Sequence, residues 1–351
     1  MIRWNFPAVV GAVGLVAGAA HGQSASGTVS SPALDRWMYP FNSSPGVEAN
    51  APVYAALQSP GFDDRDAQFL VGFDTGAIAP AGVGERRYRV YALRLRVVVS
   101  NDMRFAYDPT PDHVSSSYGT TDPDYIPDAD TGKPVEVFAV GFRNGQSAGT
   151  YGESSAFSTT PTLPPQQSIR SAFAATVSAD GTATDVSNQV KEKRNAQGLA
   201  VGVNPALTPG QLVPQGTELF FDVDLSTPEV QNYVSRALNE GRLLLMVTSL
   251  HPASGGPGGG GGVVYPSFYT KENAVAPVLG YTASLEASVE WYPYVDFNLD
   301  GDIGTDQDIE AFFRALGGFG GNSDFNMDGD YGTDQDIECF FAALGGASCP
   351  F

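Results

Sequence analysis

Asp296, Asn298 and Asp300 alternate along the chain with Gly301 behind them, and Asp324, Asn326, Asp328 and Gly329 repeat that arrangement 28 residues later. Oxygen-bearing side chains on every second residue, turned sharply by a glycine, are what a hard cation needs, because it draws roughly six to eight oxygens from one loop. The D-x-N-x-D-G run therefore points to calcium. Its duplication, in DFNLDGDIGTDQDIEAFFRALGG and DFNMDGDYGTDQDIECFFAALGG, predicts two Ca²⁺ sites. Asp302 and Asp330 extend the alternating set. The closing oxygen is open: a regular loop ends on a carboxylate at its twelfth position, where Gln307 and Gln335 stand, flanked by Asp306, Asp308, Asp334 and Asp336. Asp308 and Asp336 are the favoured ligands, since each would project back from the first turn of a helix capped by Thr305 or Thr333. The competing role is a capping box, in which the same carboxylates bond the N-cap amide and favour the positive end of the helix dipole. One carboxylate can do both.

The elements that position these oxygens follow from the spacing. Ile309, Phe312, Phe313 and Leu316, and again Ile337, Phe340, Phe341 and Leu344, recur at i, i+3, i+4 and i+7, the period of a helix with one apolar face. Gly317 and Gly345 are the expected C-caps. Each helix has a single apolar stripe, so the two loop-helix units should bury their stripes against each other with pseudo-twofold symmetry. From Asp296 onward the chain has twelve carboxylates against one arginine, Arg314, and carries −11 of a formal net charge of −20. Without cations such a segment repels itself.

This stretch resembles the dockerin family, whose type I modules pair two calcium loops, each followed by one helix. In that family the residues just ahead of the closing aspartate and at the start of the helix contact a cohesin partner. The resemblance assigns that role to Thr305, Asp306, Gln307 and to Thr333, Asp334, Gln335, whose identity in the two repeats suits two equivalent docking orientations. A cohesin-like protein or another cell-surface receptor is the implied partner.

At the other end, Arg3 precedes an apolar run from Pro7 to Ala20, and Ala20 and Gly22 suit the −3 and −1 positions of a cleavage site. Residues 1–22 read as a secretory signal peptide, too short for a comfortable membrane span. An exported, soluble, extracellular or surface-associated protein is expected. The only cysteines, Cys339 and Cys349, are then expected to form a disulfide pinning the tail to the second helix. Cys339 lies off the Ile337/Phe340/Phe341 stripe and reads as facing the returning tail; intermolecular use of Cys349 is the alternative.

Residues 23–290 hold many short alternating runs divided by Gly, Pro, Asn and Asp, which argues for a β-sandwich, with 291–295 as a short linker to the module at 296–351. Phe69 to Phe73, Tyr88 to Ser100, Val135 to Phe142 and Leu243 to Val247 read as strands. In the second of these Val90, Ala92, Leu95, Val97 and Val99 stand among arginines. Thr227 and Pro228 open one helix that stops at Gly241. Ser154 to Gln166 and the glycine tract Ser254 to Gly262 read as loops.

The body resembles the DNRLRE-type modules, jelly-roll sandwiches of secreted proteins related to carbohydrate-binding modules. The likeness rests on FLVGFDTGAIAPAG followed by YALRLRVVVS, and on LFFDVDLSTPEVQNYVSRALNEGRLLLMV, with Ser267 to Leu285 as the closing strand. It implies a mainly β, jelly-roll-like sandwich with a leaning toward polysaccharide, joined to a small all-α calcium-binding module.

Other chemistry is thinly supported. Beyond residue 22 only His113 and His251 remain, too few to support a Ser-His-Asp triad, and no H-E-x-x-H helix or phosphate loop is present. Asp63, Asp64 and Asp66 could hold a cation but read better as a polar turn, and Asp122 to Asp130 as a solvated loop. Trp37, Tyr39 and Phe41 alternate as if on one face of a strand; core packing is the favoured reading, stacking on sugar rings the alternative. The strong negative charge opposes nucleic acid and anionic membranes. The leading expectation is a non-catalytic, glycan-directed sandwich tethered by a calcium-dependent anchor. A polysaccharide-degrading enzyme, needing a cleft with two carboxylates and one raised pKa, and a structural wall or sheath component are the alternatives.

Overall fold

A computed structural model describes residues 23–56, 65–159, 169–254, 261–291, 295–298, 300–318, 323–326 and 330–345. The N-terminal segment 1–22, and with it the expected signal peptide, lies outside these, as do Asp63, Asp64, Asp328, Gly329 and Cys349. The chain divides into two compact units, one of residues 24–291 and one built on the residues after 291. No helix among the described residues is long and apolar enough to cross a membrane.

The larger unit is mainly β. Its strands are β1 (Gln23–Val29), β2 (Leu34–Met38), β3 (Asn50–Pro52), β4 (Gln68–Asp74), β5 (Tyr88–Val98), β6 (Val135–Phe142), β7 (Ala172–Val177), β8 (Ala183–Asp185), β9 (Ala200–Val201), β10 (Glu218–Asp222), β11 (Arg242–Ser249), β12 (Ser267–Tyr269) and β13 (Ser284–Trp291). One sheet runs β1-β13-β5-β10; a larger one runs β2-β4-β11-β6-β7-β8 with β9 added beside β6; β12 pairs with β3. The pairings of β4, β11 and β6 are antiparallel, as are those of β5 with β10 and β13.

The two larger sheets share one apolar core. Leu93, Leu95, Val97, Phe221, Leu285 and Val289 come from the smaller sheet, and Phe69, Val71, Phe73, Leu243, Leu245 and Val247 from the larger. The larger sheet is buried on its other face too, where Leu70, Phe138, Leu244 and Met246 pack with Tyr151. Two covered faces explain why β4 and β11 read as continuous apolar runs rather than alternating ones.

In β5 the alternation changes phase. Ser288 pairs with Ala92 and Val289 with Val90, so Tyr91 is an extra residue, and the bulge turns Leu93 rather than Ala92 inward. Ala92, which stands with Val90, Leu95, Val97 and Val99 among the arginines of the sequence, is exposed through that one insertion.

Helix α1 (Pro228–Glu240) follows N-cap Thr227 and ends at Gly241, whose φ of 79° is the left-handed conformation a C-terminal glycine adopts without strain. Its Val230, Val234 and Leu238 join the shared core.

The expected closing strand Ser267 to Leu285 is instead three elements: β12, the short helix α2 (Ala276–Leu279) and β13. Asn273 Oδ1 accepts the Val275 N–H at 3.1 Å, and Gly280 at φ 70° turns the chain back, so the run is broken by local turn chemistry.

The smaller unit contains helices α3 (Asp306–Leu316) and α4 (Asp334–Leu344). Phe312 and Phe340 stack across the pair with centroids 4.0 Å apart. Phe297 and Phe325, the second residues of the two D-F-N runs, close edge-on over them at 5.3 to 6.1 Å. Two expectations fail here. Phe313 and Phe341 are 47% and 46% exposed, since the cluster is built from Phe312, Phe340 and the loop phenylalanines Phe297 and Phe325. Cys339 is wholly buried inside this cluster, so the expectation that it would not fill the core is corrected, since the cluster reaches round α4 beyond the i, i+3, i+4 stripe.

Candidate functional site

The first acidic loop folds around its own carboxylates. Asp296 is wholly buried; its Oδ1 accepts the Asp300 N–H and its Oδ2 the Gly301 N–H, each at 3.1 Å. Asn298 Oδ1 accepts from Asp300 N at 3.0 Å, and Asp300 Oδ1 from Asp302 N at 2.9 Å. Each side chain thus turns back on the backbone two to five residues ahead and winds the chain into a tight coil. Gly301, at φ 95°, makes the turn that a side chain would strain. The side chains of Asp300 and Asp302 are exposed.

Asp308 closes the loop. It is wholly buried. Its Oδ1 accepts the Asn298 N–H at 3.1 Å, while its Oδ2 accepts the Thr305 N–H and hydroxyl, both at 2.9 Å. The Thr305 hydroxyl accepts the Asp308 N–H in return, completing a capping box. Gln307, at the regular twelfth position, is exposed, as is Asp306.

The second loop repeats this where it is described. Asp336, also wholly buried, accepts Phe325 N at 2.6 Å, Asn326 N at 3.1 Å and Thr333 N at 2.8 Å, and α4 carries the same capping box. Gly304 N bonds Val295 O at 3.1 Å and Gly332 N bonds Ser323 O at 3.3 Å, equivalent ties across each loop. Asp324 and Asn326 are half-buried, Asp330 exposed; Asp334 and Gln335 are exposed beside the capping Thr333. Asp328 lies outside the described residues. Cys339 is disulfide-bonded, and the chain's only other cysteine, Cys349, is likewise outside them.

Burial pushes the Asp296 carboxyl above its ordinary range, against the Gly301 N–H, and the Asp308 and Asp300 charges push the same way. Asp336 is also penalised by burial, but the N–H groups of Asn326, Thr333 and Phe325 and the Thr333 hydroxyl outweigh it and hold its pKa low. The one basic side chain of this unit, Arg314, bonds Glu310 at 3.1 Å on the exposed face of α3. No protein cation stands in either loop among the described residues. The donor set of carboxylate and amide oxygens suits a hard divalent cation. Among the described residues, carboxylate groupings with one oxygen of each residue within 4.8 Å of the others lie in the larger unit: Asp35 with Glu153 and Glu272, and Asp108 with Asp112, Asp128 and Asp130.

The chain matches no protein-family profile and no curated protein.

In the larger unit, Asp122 and Asp124 pair with Lys193, and Asp128 and Asp112 with Lys133, so the stretch read as a solvated loop is tied down by two lysines. Asp66 is buried and accepts Ala56 N at 2.6 Å; the rest of the expected polar turn, Asp63 and Asp64, lies outside the described residues. His251 is buried; its Nδ1 lies 2.7 Å from Ser249 Oγ, its ring meets Phe105 edge-on, and burial pushes its pKa down to about 3. His113 makes a similar local bond to Ser115 Oγ at 2.7 Å. Both are two-residue turns, and a wholly enclosed neutral imidazole cannot serve as a general base for an outside substrate.

Of Trp37, Tyr39 and Phe41, Trp37 packs against the shared core, as expected, while Phe41 does not. Trp37 and Tyr39 stack at 4.7 Å, Tyr39 meets Phe41 at 5.5 Å and Tyr54 at 5.9 Å, and Tyr54 meets Tyr265 at 4.6 Å. Trp37 and Tyr39 are half-buried and Phe41 is 41% exposed, a continuous aromatic shelf. Tyr54 and Tyr265 carry no sequence signal linking them to Trp37; only the fold brings them together. A cavity of about 600 Å³ is lined by Glu136, Asp222, Asp224 and Glu229 among apolar residues of β7, β9 and α1. Burial, reinforced by the charge of Asp112 against the Gly198 N–H, pushes Glu136 up to about 7, whereas hydrogen bonds from Ser226 hold Asp224 low.

Proposed function

We propose that this is an exported protein in which a dockerin-like, calcium-dependent module after residue 291 anchors a non-catalytic, jelly-roll-like β-sandwich to a surface or extracellular assembly. The observation that carries the reading is the matched pair Asp308 and Asp336, each joining the start of an acidic loop to the cap of the following helix. Asp296, Asn298, Asp300 and Asp308, with their counterparts in the second repeat, are the oxygens that would hold each Ca²⁺; Asp302 and Asp330 would contribute from the loop rim. Bound calcium supplies the positive charge that one arginine cannot, so the metal-bound module is the stable one. The receptor, cohesin-like or another surface protein, meets the exposed Asp306, Gln307, Asp334 and Gln335 beside Thr305 and Thr333, and the paired exposed rings of Phe313 and Phe341 add apolar area there. The glycan leaning of the body rests on the aromatic shelf at Trp37, Tyr39 and Phe41.

The test is calorimetric titration of the full chain with calcium, followed by circular dichroism. Two ions lost and helix lost in an Asp296→Ala/Asp324→Ala chain support the anchor; the same heat in both chains removes it.

A polysaccharide-cleaving enzyme on the same anchor is a second reading, favoured by the 600 Å³ cavity, where Glu136 is held near neutral pH and Asp224 is held ionised. Carboxyls pushed apart in this way suit an acid and a base. Polysaccharide hydrolysis abolished in Glu136→Gln would favour this reading over simple binding.

A further inference from the structure

Three carboxylates from distant parts of the larger unit converge away from both features above. Asp35 lies in β2, Glu153 in the loop after β6 and Glu272 in the turn after β12. Each places one oxygen within 4.8 Å of the others. Asp35 is wholly buried. Its Oδ2 accepts the Lys271 N–H at 2.8 Å, and Glu153 Oε1 accepts the Asp35 N–H at 2.9 Å and the Lys271 ammonium. That leaves Asp35 Oδ1, Glu153 Oε2 and Glu272 Oε2 buried with no hydrogen-bond donor. Orphaned polar atoms are rare and costly in a protein interior, and three on one carboxylate cluster need a common explanation.

The neighbouring guanidinium does not supply it. Arg36 Nη1 is committed to the carbonyls of Gly152, Glu153 and Ser155 at 3.2, 2.8 and 2.6 Å, and its Nε–H is buried without an acceptor, so its charge acts on Glu153 but it donates no hydrogen bond to the three orphaned oxygens. The Lys271 ammonium bonds Glu153 alone of the three. A proton shared between Asp35 and Glu272 would satisfy one edge and leave Glu153 Oε2 bare. Oxygens on a shared calcium, bound at about 2.3–2.6 Å, sit at most about 5 Å apart, and these three carboxylates each bring one oxygen within 4.8 Å of the others.

We propose that Asp35, Glu153 and Glu272 form a hard divalent cation site of the calcium class, clasping β2, the loop after β6 and the turn after β12. The site closes loops of more than a hundred residues, so its occupancy stabilises the body itself rather than the anchor. Burial and the charge of Glu272 push Asp35 up to about 8, as expected of a carboxylate crowded by like charge and short of a cation.

Hydrogen exchange of the full chain, in EDTA and in calcium, tests this. Calcium is expected to slow the backbone amides of residues 34–38, 150–155 and 269–273 at least tenfold, in the wild type and equally in an Asp308→Ala/Asp336→Ala chain. Glu272→Gln, with Glu153→Gln as a second variant, is expected to abolish the effect there and leave the C-terminal response intact. Equal exchange with and without calcium in the wild-type segments overturns the site, whatever the terminal loops do. So does calcium-dependent protection of these segments that survives both glutamine variants, which would place its source elsewhere in the chain.

Discussion

Asp308 accepts the backbone N–H of Asn298, ten residues earlier, at 3.1 Å, with the oxygen that its capping box leaves over. One side chain therefore terminates the acidic loop and initiates α3. Loop closure and helix nucleation are the same event, because the first turn costs conformational entropy that this carboxylate offsets from both sides.

Truncating that side chain should separate the two contributions. Asp308→Ala and Asp336→Ala are each expected to lower helix stability by about 1 kcal/mol in EDTA, the usual cost of a lost cap. In calcium the loss should be larger, with one ion fewer bound per variant. Paired thermal melts and calorimetry of the full chain measure both, and an equal loss in EDTA and calcium would confine Asp308 to capping.

The small unit's core gives a sharper contrast between neighbours. Phe312 is wholly buried against Phe340, while Phe313 is 47% exposed. Phe312→Ala should cost about 3–5 kcal/mol and unfold α3 and α4 even in calcium. Phe313→Ala should fall within about 0.5 kcal/mol and leave calcium binding unchanged. Far-UV circular dichroism during calcium addition distinguishes them; similar losses from both would contradict the packing described.

The difference between those two phenylalanines shows where the sequence stops being informative. Thr305, Asp308 and the repeat are local patterns, so the helix caps could be read directly, as could Val135–Phe142 and the ends of α1, while the spacing left the closing oxygen of each loop open among neighbouring residues. An apolar period fixes a face only to within about one residue's arc, which is why Phe313 and Phe341 stand half exposed while Cys339 is buried. The Tyr91 bulge leaves no composition signal. Asp35, Glu153 and Glu272 are separated by more than a hundred residues each, and only strand order makes them neighbours.

The aromatic shelf makes the glycan leaning testable. Phe41→Ala removes an exposed ring, so the melting temperature should hold, while affinity for a bound polysaccharide should fall about tenfold, or roughly 1.4 kcal/mol. Trp37→Ala should cost both affinity and stability, because Trp37 also packs on the shared core. Affinity electrophoresis against a panel of soluble polysaccharides is the measurement. Retardation that is unaffected by either change would place glycan binding elsewhere or remove it.

The pH dependence of the body should be set by Glu136 and His251. Glu136 is raised from 4.5 to about 7, so the stability tied to its neutral form is complete below about pH 4.5 and is lost as the pH rises through 7. His251 is lowered from 6.5 to about 3, so its contribution is complete above pH 6.5 and is lost as the pH falls toward 3. The two slopes oppose each other between about pH 4.5 and 6.5, and above that range only the loss from Glu136 remains. Glu136→Gln should remove that loss. Relative to the wild type it should gain up to roughly 3 kcal/mol by pH 8, the equivalent of the shift, and gain little at pH 4.5. Urea midpoints across this range decide it: a difference between variant and wild type that stays constant with pH would show that Glu136 is not the titrating group.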